Sequence, residues 1–187
     1  PVISRRAGGV SIGINLNPNN ACNWRCIYCQ VPNLTRGSAP KIDLPLLEQE
    51  LRIFLRELLE GDFMSRQVPP ECQRINDIAL SGNGEPTSAK EFVEVIEVIA
   101  RVKHDFALAE SIKLVLITNG SLINRVAVQR GLARMAMLNG EVWFKFDSAM
   151  PDRRQLINGA SISNGTIKRH LKIAATLCST WIQTCVL

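Results

Sequence analysis

Ala21-Cys22-Asn23-Trp24-Arg25-Cys26-Ile27-Tyr28-Cys29-Gln30 is the stretch that decides how the rest of this chain is read. Three cysteines follow a C-x3-C-x2-C spacing, with an aromatic residue immediately before the third. One short loop of this kind can set three thiolates on three irons of a cubane cluster. Such a cluster normally takes four Cys ligands, so three leave one iron open to something else. Two plainer chemistries also use closely spaced cysteines. A disulfide framework suits small secreted chains, and six cysteines in 187 residues argue against it. A structural zinc site pairs two Cys or Cys/His hooks. No second hook stands nearby, and the histidines, His104 and His170, lie far along the chain. Zinc stays as the lesser alternative.

Outward from this loop the chain alternates strand and helix. Val10–Leu16 predicts a short strand before the cysteines. Asp43–Glu60 predicts a helix with Asp43 as N-cap, Pro45 in its first turn, and Leu47, Leu51, Phe54, Leu55 and Leu58 on one face. Ile75–Leu80 is the second strand, followed by Ser81-Gly82-Asn83-Gly84-Glu85-Pro86-Thr87. Ser88-Ala89-Lys90-Glu91 has the form of a capping box and opens a helix whose face is Phe92, Val95, Ile96, Ile99 and Val102. Ile112–Thr118, nearly all apolar, reads as a strand buried on both faces of a parallel sheet. A helix over 125–138, a strand over 142–146, a helix over 165–178 and a fifth strand over 181–187 complete the series. Residues 31–42 and 62–74 read as long loops. Repeated βα units build either a doubly wound sheet or a partial barrel, and both place ligands at the C-terminal ends of the strands. Composition does not separate the two.

The chemically distinctive residues all fall at those strand ends. Gly82-Asn83-Gly84-Glu85 is neither a Walker loop nor a dinucleotide fingerprint. Its glycines let the backbone approach a ligand closely, its carbonyls can accept from an ammonium, and Glu85 adds negative charge. The plain alternative is an ordinary Gly/Asn/Pro turn. Asn119 and Asp147 can hydrogen-bond hydroxyl groups. Lys145 projects to the same side of its strand as Asp147, and the pair suits a ligand's carboxylate and hydroxyls, or else forms a buried ion pair. Tyr28 and Trp24 either flank a cofactor or simply cover the loop. Gln183 is a candidate inward-facing residue of the last strand. The remaining cysteines, Cys72, Cys178 and Cys185, are scattered. Met135 and Met137 read as core and surface of one helix, and His104 and His170 as solvent-facing.

The cysteine spacing with Tyr28, together with the Gly82–Glu85 turn, resembles the signature of the radical S-adenosylmethionine (SAM) superfamily. The resemblance runs from the first strand to the fifth. It implies an α/β fold, a partial TIM-like (β/α)6 barrel with about five strands in this chain, as a single core domain over 1–187. It implies a [4Fe–4S] cluster held by Cys22, Cys26 and Cys29, whose open iron binds the amino and carboxylate groups of SAM. It implies reductive cleavage of SAM to a 5′-deoxyadenosyl radical that abstracts hydrogen from a substrate. SAM contacts then fall on Tyr28, Gly82, Asn83, Gly84, Glu85, Asn119, Lys145 and Asp147. Asn83 between the two glycines departs from the family's Gly-Gly-Glu element, which acts through its backbone. An electron donor such as flavodoxin or ferredoxin is the expected partner.

Two branches of the superfamily look similar in these motifs. One holds wyosine-type tRNA base-modifying enzymes, and the other holds activases that place a glycyl radical on a partner protein. The net charge of +5 permits an RNA partner, although the basic residues are dispersed, and Arg153, Arg154, Lys168, Arg169 and Lys172 read as solvated helix faces. A third alternative, from a different class, is a non-catalytic iron–sulfur or zinc module. No stretch of about 18 apolar residues predicts a membrane span, the N-terminus lacks a signal-peptide block, and cluster thiols need a reducing compartment, so the cytoplasm is expected. The absence of an initiator Met, and a last strand that stops mid-pattern, predict a piece of a longer protein.

Overall fold

Alternate residues of the central strands turn apolar side chains into one buried core, and that core organises the molecule. The computed structural model describes residues 2–4 and 8–185. Its strands and helices are β1 (Val2–Ser4), β2 (Gly9–Ile14), β3 (Ala21–Cys22), β4 (Thr35–Arg36), α1 (Leu44–Leu59), α2 (Phe63–Gln67), β5 (Ile75–Leu80), α3 (Phe92–Asp105), β6 (Lys113–Thr118), α4 (Val126–Ala136), β7 (Gly140–Lys145), α5 (Pro151–Asn158), α6 (Asn164–Leu177) and β8 (Ser179–Gln183). On one face of the sheet, Val10, Ile12, Ile14, Ile78, Leu80, Leu114, Leu116, Val142 and Phe144 are buried in a core that includes residues of α1, α3, α4 and α6. Each such side chain, fully buried, stabilises the fold by about 1.5–3 kcal/mol before entropy is counted.

The main sheet has the order β1-β2-β5-β6-β7-β8. β1 is antiparallel to β2, and every later neighbour pair is parallel. From β2 onward the spatial order follows the chain order. A doubly wound sheet reverses its order at a switch point, and this one does not. The architecture is therefore α/β with five parallel strands forming an open barrel wall. No helix among the described residues is long and apolar enough to cross a membrane.

Local chemistry explains the element ends. Asp43 caps α1, its carboxylate accepting from Leu46 N–H at 3.0 Å, with Pro45 in the first turn and Leu51, Leu55 and Leu58 buried. The capping box expected at 88–91 does not form. Pro86–Ser88 make a 3-10 turn, Ser88 is buried and accepts from the Ala39 N–H, and α3 starts only at Phe92. Glu91 instead accepts from Ile42 N–H at 3.3 Å, tying α3 to the segment before α1.

Five other expectations change. The loop over 31–42 contains β4, which pairs with β3 in a two-stranded parallel ribbon. The loop over 62–74 contains α2 and a 3-10 turn at Pro70–Cys72. Residues 151–158 form α5, beginning at Pro151 and ending on Gly159 in the left-handed region. β6 is not buried throughout: Lys113 and Ile117 are half-exposed. The final strand spans Ser179–Gln183, and Val186 and Leu187 of the expected strand lie outside the described residues.

Candidate cofactor site

The C-terminal ends of β2, β5, β6 and β7 lie along one edge of the sheet, and the loop carrying the cysteines crosses over them. Two contacts hold its start. Asn17, itself buried, donates to Ala21 O at 2.9 Å and to Ser88 Oγ at 3.4 Å. Asn20, at φ 52°, anchors the turn before β3, its side-chain amide donating to Pro32 O at 3.0 Å. Trp24, within the loop, is buried at 7% exposure. Cys22 and Cys26 are half-buried and Cys29 is exposed, all three as free thiols. Burial pushes the Cys22 thiol above its ordinary range, opposed by the Trp24 N–H that donates to its sulfur at 3.5 Å.

The turn after β5 meets the loop backbone to backbone. Gly82 has φ +139°, and a Cβ there would lie 2.5 Å from Asn15 Oδ1. A Cβ on Gly84 would lie 2.1 Å from Ala21 O and 2.7 Å from the Asn17 side-chain amide. Only glycine allows this approach. Asn83 is tied down on both sides, its N–H donating to Asn15 Oδ1 at 3.1 Å and its side chain to Asn20 Oδ1 at 2.7 Å.

Glu85 is 2% exposed. One carboxylate oxygen accepts from Thr87 N–H at 3.2 Å, Thr87 Oγ1 at 2.5 Å and Thr118 Oγ1 at 2.6 Å; the other accepts from Asn119 N–H at 2.7 Å. Burial pushes its carboxyl above the ordinary carboxylate range, and these hydrogen bonds counter the shift without cancelling it. In this arrangement the Glu85 charge is committed to protein donors. Asn119 continues the chain of contacts, donating to Asn23 Oδ1 at 2.8 Å. Asn23 in turn donates to Ser121 Oγ at 2.7 Å and is the neighbour of Cys22.

At the end of β7, the Tyr28 hydroxyl donates to Asp147 Oδ2 in a short contact. The Lys145 ammonium sits 4.8 Å over the Tyr28 ring and 3.7 Å from Asp147 Oδ1. Cys185 N–H donates to the same Asp147 oxygen at 2.8 Å. Burial alone raises the Asp147 carboxyl. The donors Tyr28, Cys185 and Asn158, with the Lys145 charge, outweigh it and hold the group below the usual carboxylate range. Burial, and then the bond to Asp147, push the Tyr28 phenol up.

α5 supplies residues that the sequence reading did not single out. Its last turn docks on the cysteine loop, where Arg25 N–H donates to Asn158 O at 3.0 Å and Ile27 N–H to Ile157 O at 2.8 Å. Asn158 Nδ2 lies 2.7 Å from Asp147 Oδ2, 3.3 Å from Cys26 Sγ and 3.4 Å from the Tyr28 hydroxyl. Arg36 clasps the loop from outside, donating to Asn23 O and Gly159 O at 3.1 and 2.9 Å. Arg154, expected on a solvated face, is 1% exposed and donates to Ser148 O, Ile162 O and Asn164 Oδ1 at 2.8, 2.5 and 3.0 Å. His170, expected in solvent, is 2% exposed and donates from Nδ1 to Gly120 O at 2.8 Å, bracing the turn after β6.

The expected site residues thus form one connected belt. Cys26, Tyr28, Lys145 and Asp147 meet at one end, Glu85 and Asn119 at the other, and the glycine turn sits against the loop start. Gln183, the cross-strand partner of Lys145, lies on the same sheet face and lines a cavity of about 580 Å³ with Asp77, Lys113, Glu141, Trp143 and Trp181, inward as expected. Cys178 is buried with its thiol 3.2 Å from Gly140 O, and Cys72 packs at the core margin. No three His, Cys, Asp or Glu side chains among the described residues group as one metal ion requires. The donor chemistry of Cys22, Cys26 and Cys29, three free thiols on one loop, is of the type that iron–sulfur clusters use.

The comparisons with known proteins follow this geometry. The Radical SAM superfamily matches residues 16–187. A UPF0026 protein of Synechocystis is 33% identical over 160 residues, covering 84% of this chain and 51% of that protein. A UPF0026 protein of Helicobacter pylori is 29% identical over 134 residues, covering 71% of this chain and 37% of that protein. The chain therefore spans about half or less of the length of these relatives. In fold, a crystal structure of archaeal TYW1 superposes with a TM-score of 0.53 at 16% identity, over 94% of this chain and 55% of that one.

Proposed function

The chain belongs to the radical SAM superfamily, and from that premise we propose that Cys22, Cys26 and Cys29 hold a [4Fe–4S] cluster whose open iron takes SAM. The observation that carries the reading is the belt itself. Three free thiols sit on one loop at the C-terminal end of the barrel wall; Asn158 bridges Cys26 to Asp147, and Asn119 bridges Asn23, the neighbour of Cys22, to Glu85. When bound, the cluster supplies the electron that cleaves SAM to a 5′-deoxyadenosyl radical for hydrogen abstraction.

The chain's own residues bind, orient and shield. Tyr28 presents an aromatic face with Lys145 above it, and the Lys145 ammonium, 3.7 Å from Asp147, is the cation available to a ligand carboxylate. Asp147 and Asn119 offer acceptors to ribose hydroxyls. Gly82 and Gly84 bring backbone carbonyls within reach of the ligand's ammonium, with Asn83 pinning the turn. Glu85 fixes that turn against β6, so its part is chiefly to hold the carbonyls in place. Trp24, buried within the loop, keeps water from it, which tunes a cluster's potential. In this reading residues 1–187 are one core domain of a longer cytoplasmic enzyme, reduced by a flavodoxin or ferredoxin. A tRNA base is the first substrate class to test, since the net charge of +5 suits a polyanion. A glycyl-radical partner protein is the second.

The test is anaerobic reconstitution with iron and sulfide, then EPR of the dithionite-reduced protein with and without SAM. The expected result is a [4Fe–4S]⁺ signal that shifts when SAM is added and is lost in Cys26→Ala. Zinc in place of iron, or a cluster indifferent to SAM, overturns the reading and favours a structural metal module.

A further inference from the structure

Asn158 closes α5 with its side chain turned into the cofactor site. Its amide nitrogen lies 3.3 Å from Cys26 Sγ and 2.7 Å from Asp147 Oδ2. The orientation of the amide is fixed by chemistry: flipped, it would set its oxygen against the Asp147 carboxylate, acceptor to acceptor. The correct orientation leaves Oδ1 buried with no hydrogen-bond partner among the described residues. An unpartnered buried acceptor costs about 1–3 kcal/mol, and such groups in native structures call for an explanation. An apolar residue at 158 would remove this cost if packing were the only need. The donor side is what the position uses.

We propose that Asn158 is a positioning residue for Cys26, donating an N–H···S hydrogen bond to that thiolate and so raising the reduction potential of the cluster it holds. The inference rests on the cluster reading above. Hydrogen bonds to ligand sulfurs are one of the protein's means of setting cluster potential, because they stabilise the more negative reduced state. Asn158 is rigid enough for the task. Its backbone carbonyl accepts from Arg25, and α5 is held from its other side by the buried guanidinium of Arg154. Asp147 accepts from the same amide, so the Tyr28–Asp147 pair and the Cys26 sulfur are set by one side chain.

The test compares wild type with Asn158→Leu, which keeps the branching at Cγ and removes the donor, and Asn158→Asp, which keeps the shape and replaces the donor with an acceptor. Each protein is reconstituted anaerobically, its iron and sulfide content measured, and its midpoint potential determined by spectroelectrochemical titration without SAM. The expected result is about a tenfold shift of the reduction equilibrium toward the oxidised cluster in each variant, which is about 59 mV for one electron. If Asn158→Leu does not fold by circular dichroism, Asn158→Asp alone carries the comparison. Loaded variants with the wild-type midpoint overturn the assignment and leave the radical SAM reading standing. A wild-type protein that takes up no cluster overturns both.

Discussion

Glu85 on the turn after β5 accepts the backbone N–H of Asn119 at 2.7 Å, so a single buried carboxylate stitches two neighbouring strand ends together. The same group accepts from Thr118 and Thr87. Its folded pKa lies above its ordinary value of 4.5, because burial outweighs these donors. A raised acid binds its proton more tightly in the folded state, so its contribution is fully present below the unfolded pKa and falls as pH rises through the folded one. Wild type should therefore lose stability relative to Glu85→Gln as pH increases from about 4.5, with a slope of at most about 1.4 kcal/mol per pH unit. Urea unfolding of both proteins from pH 4 to 8 measures this. A difference between the two that is independent of pH would contradict it.

Gly84 and Gly13 make a matched pair of glycine positions. A Cβ at Gly84 meets Ala21 O at 2.1 Å, whereas at Gly13 the nearest atom is Ser81 Oγ at 4.0 Å. Gly84→Ala must push the cysteine loop away from the turn, at about 1–3 kcal/mol as for other overpacked sites. Gly13→Ala has ordinary contacts and should change stability by less than about 1 kcal/mol. Thermal unfolding distinguishes them, and equal melting temperatures would show that the loop is not seated on the turn.

The strands, α1 and the glycine turn were readable because each follows one physical rule. β2 and β5 alternate toward the core, α1 carries an apolar stripe with an Asp cap, and the turn is punctuated by Gly and Pro. α5 was not readable for the opposite reason. Its buried residues are Arg154 and Asn158, both polar, so no apolar period marks it. Pro151 and Gly159 at its ends were the only local signals. His170 was misplaced for the same reason, since polarity predicts exposure unless a partner such as Gly120 O is known. The Ser88–Glu91 capping pattern was defeated by tertiary demand: Ser88 bonds Ala39 and Glu91 bonds Ile42, and neither is left for the helix start. The belt that joins Asn15, Asn20, Asn23 and Asn158 was beyond reach, because it depends on which strand ends become neighbours.

Arg154 shows how much of the site rests on α5. Three acceptors, Ser148 O, Ile162 O and Asn164 Oδ1, depend on one guanidinium. Arg154→Ala strips the half-buried Ser148 and Ile162 carbonyls and the exposed Asn164 side chain of this donor and opens a void where the buried guanidinium sat, so a loss of about 2–3 kcal/mol is expected. Arg154→Lys should recover less than half of it, because a compact ammonium cannot reproduce the spread of the planar fork. Chemical denaturation checks both values. Full recovery by Lys would show that the charge, not the geometry, holds the helix.

Asp147 gives the pH response opposite to that of Glu85. Burial raises its carboxyl, but Tyr28, the Cys185 N–H, Asn158 and the Lys145 charge together hold it below its ordinary value of 3.8. A depressed acid stabilises the fold at pH above its unfolded pKa, and that contribution is lost as pH falls through the folded one. The side chain has no solvent exposure, so screening by water is slight. Asp147→Asn keeps the shape but turns an amide nitrogen toward donors on one side. It should cost about 1–3 kcal/mol near pH 7, and the gap from wild type should begin to close as pH drops below about 3.8, where the unfolded chain takes up the proton that the folded carboxylate resists. Urea titrations of both proteins between pH 3 and 7 read the gap directly. A gap that persists unchanged at pH 3 would mean that the carboxylate charge contributes nothing, and that Tyr28 and Asn158 are held by shape alone.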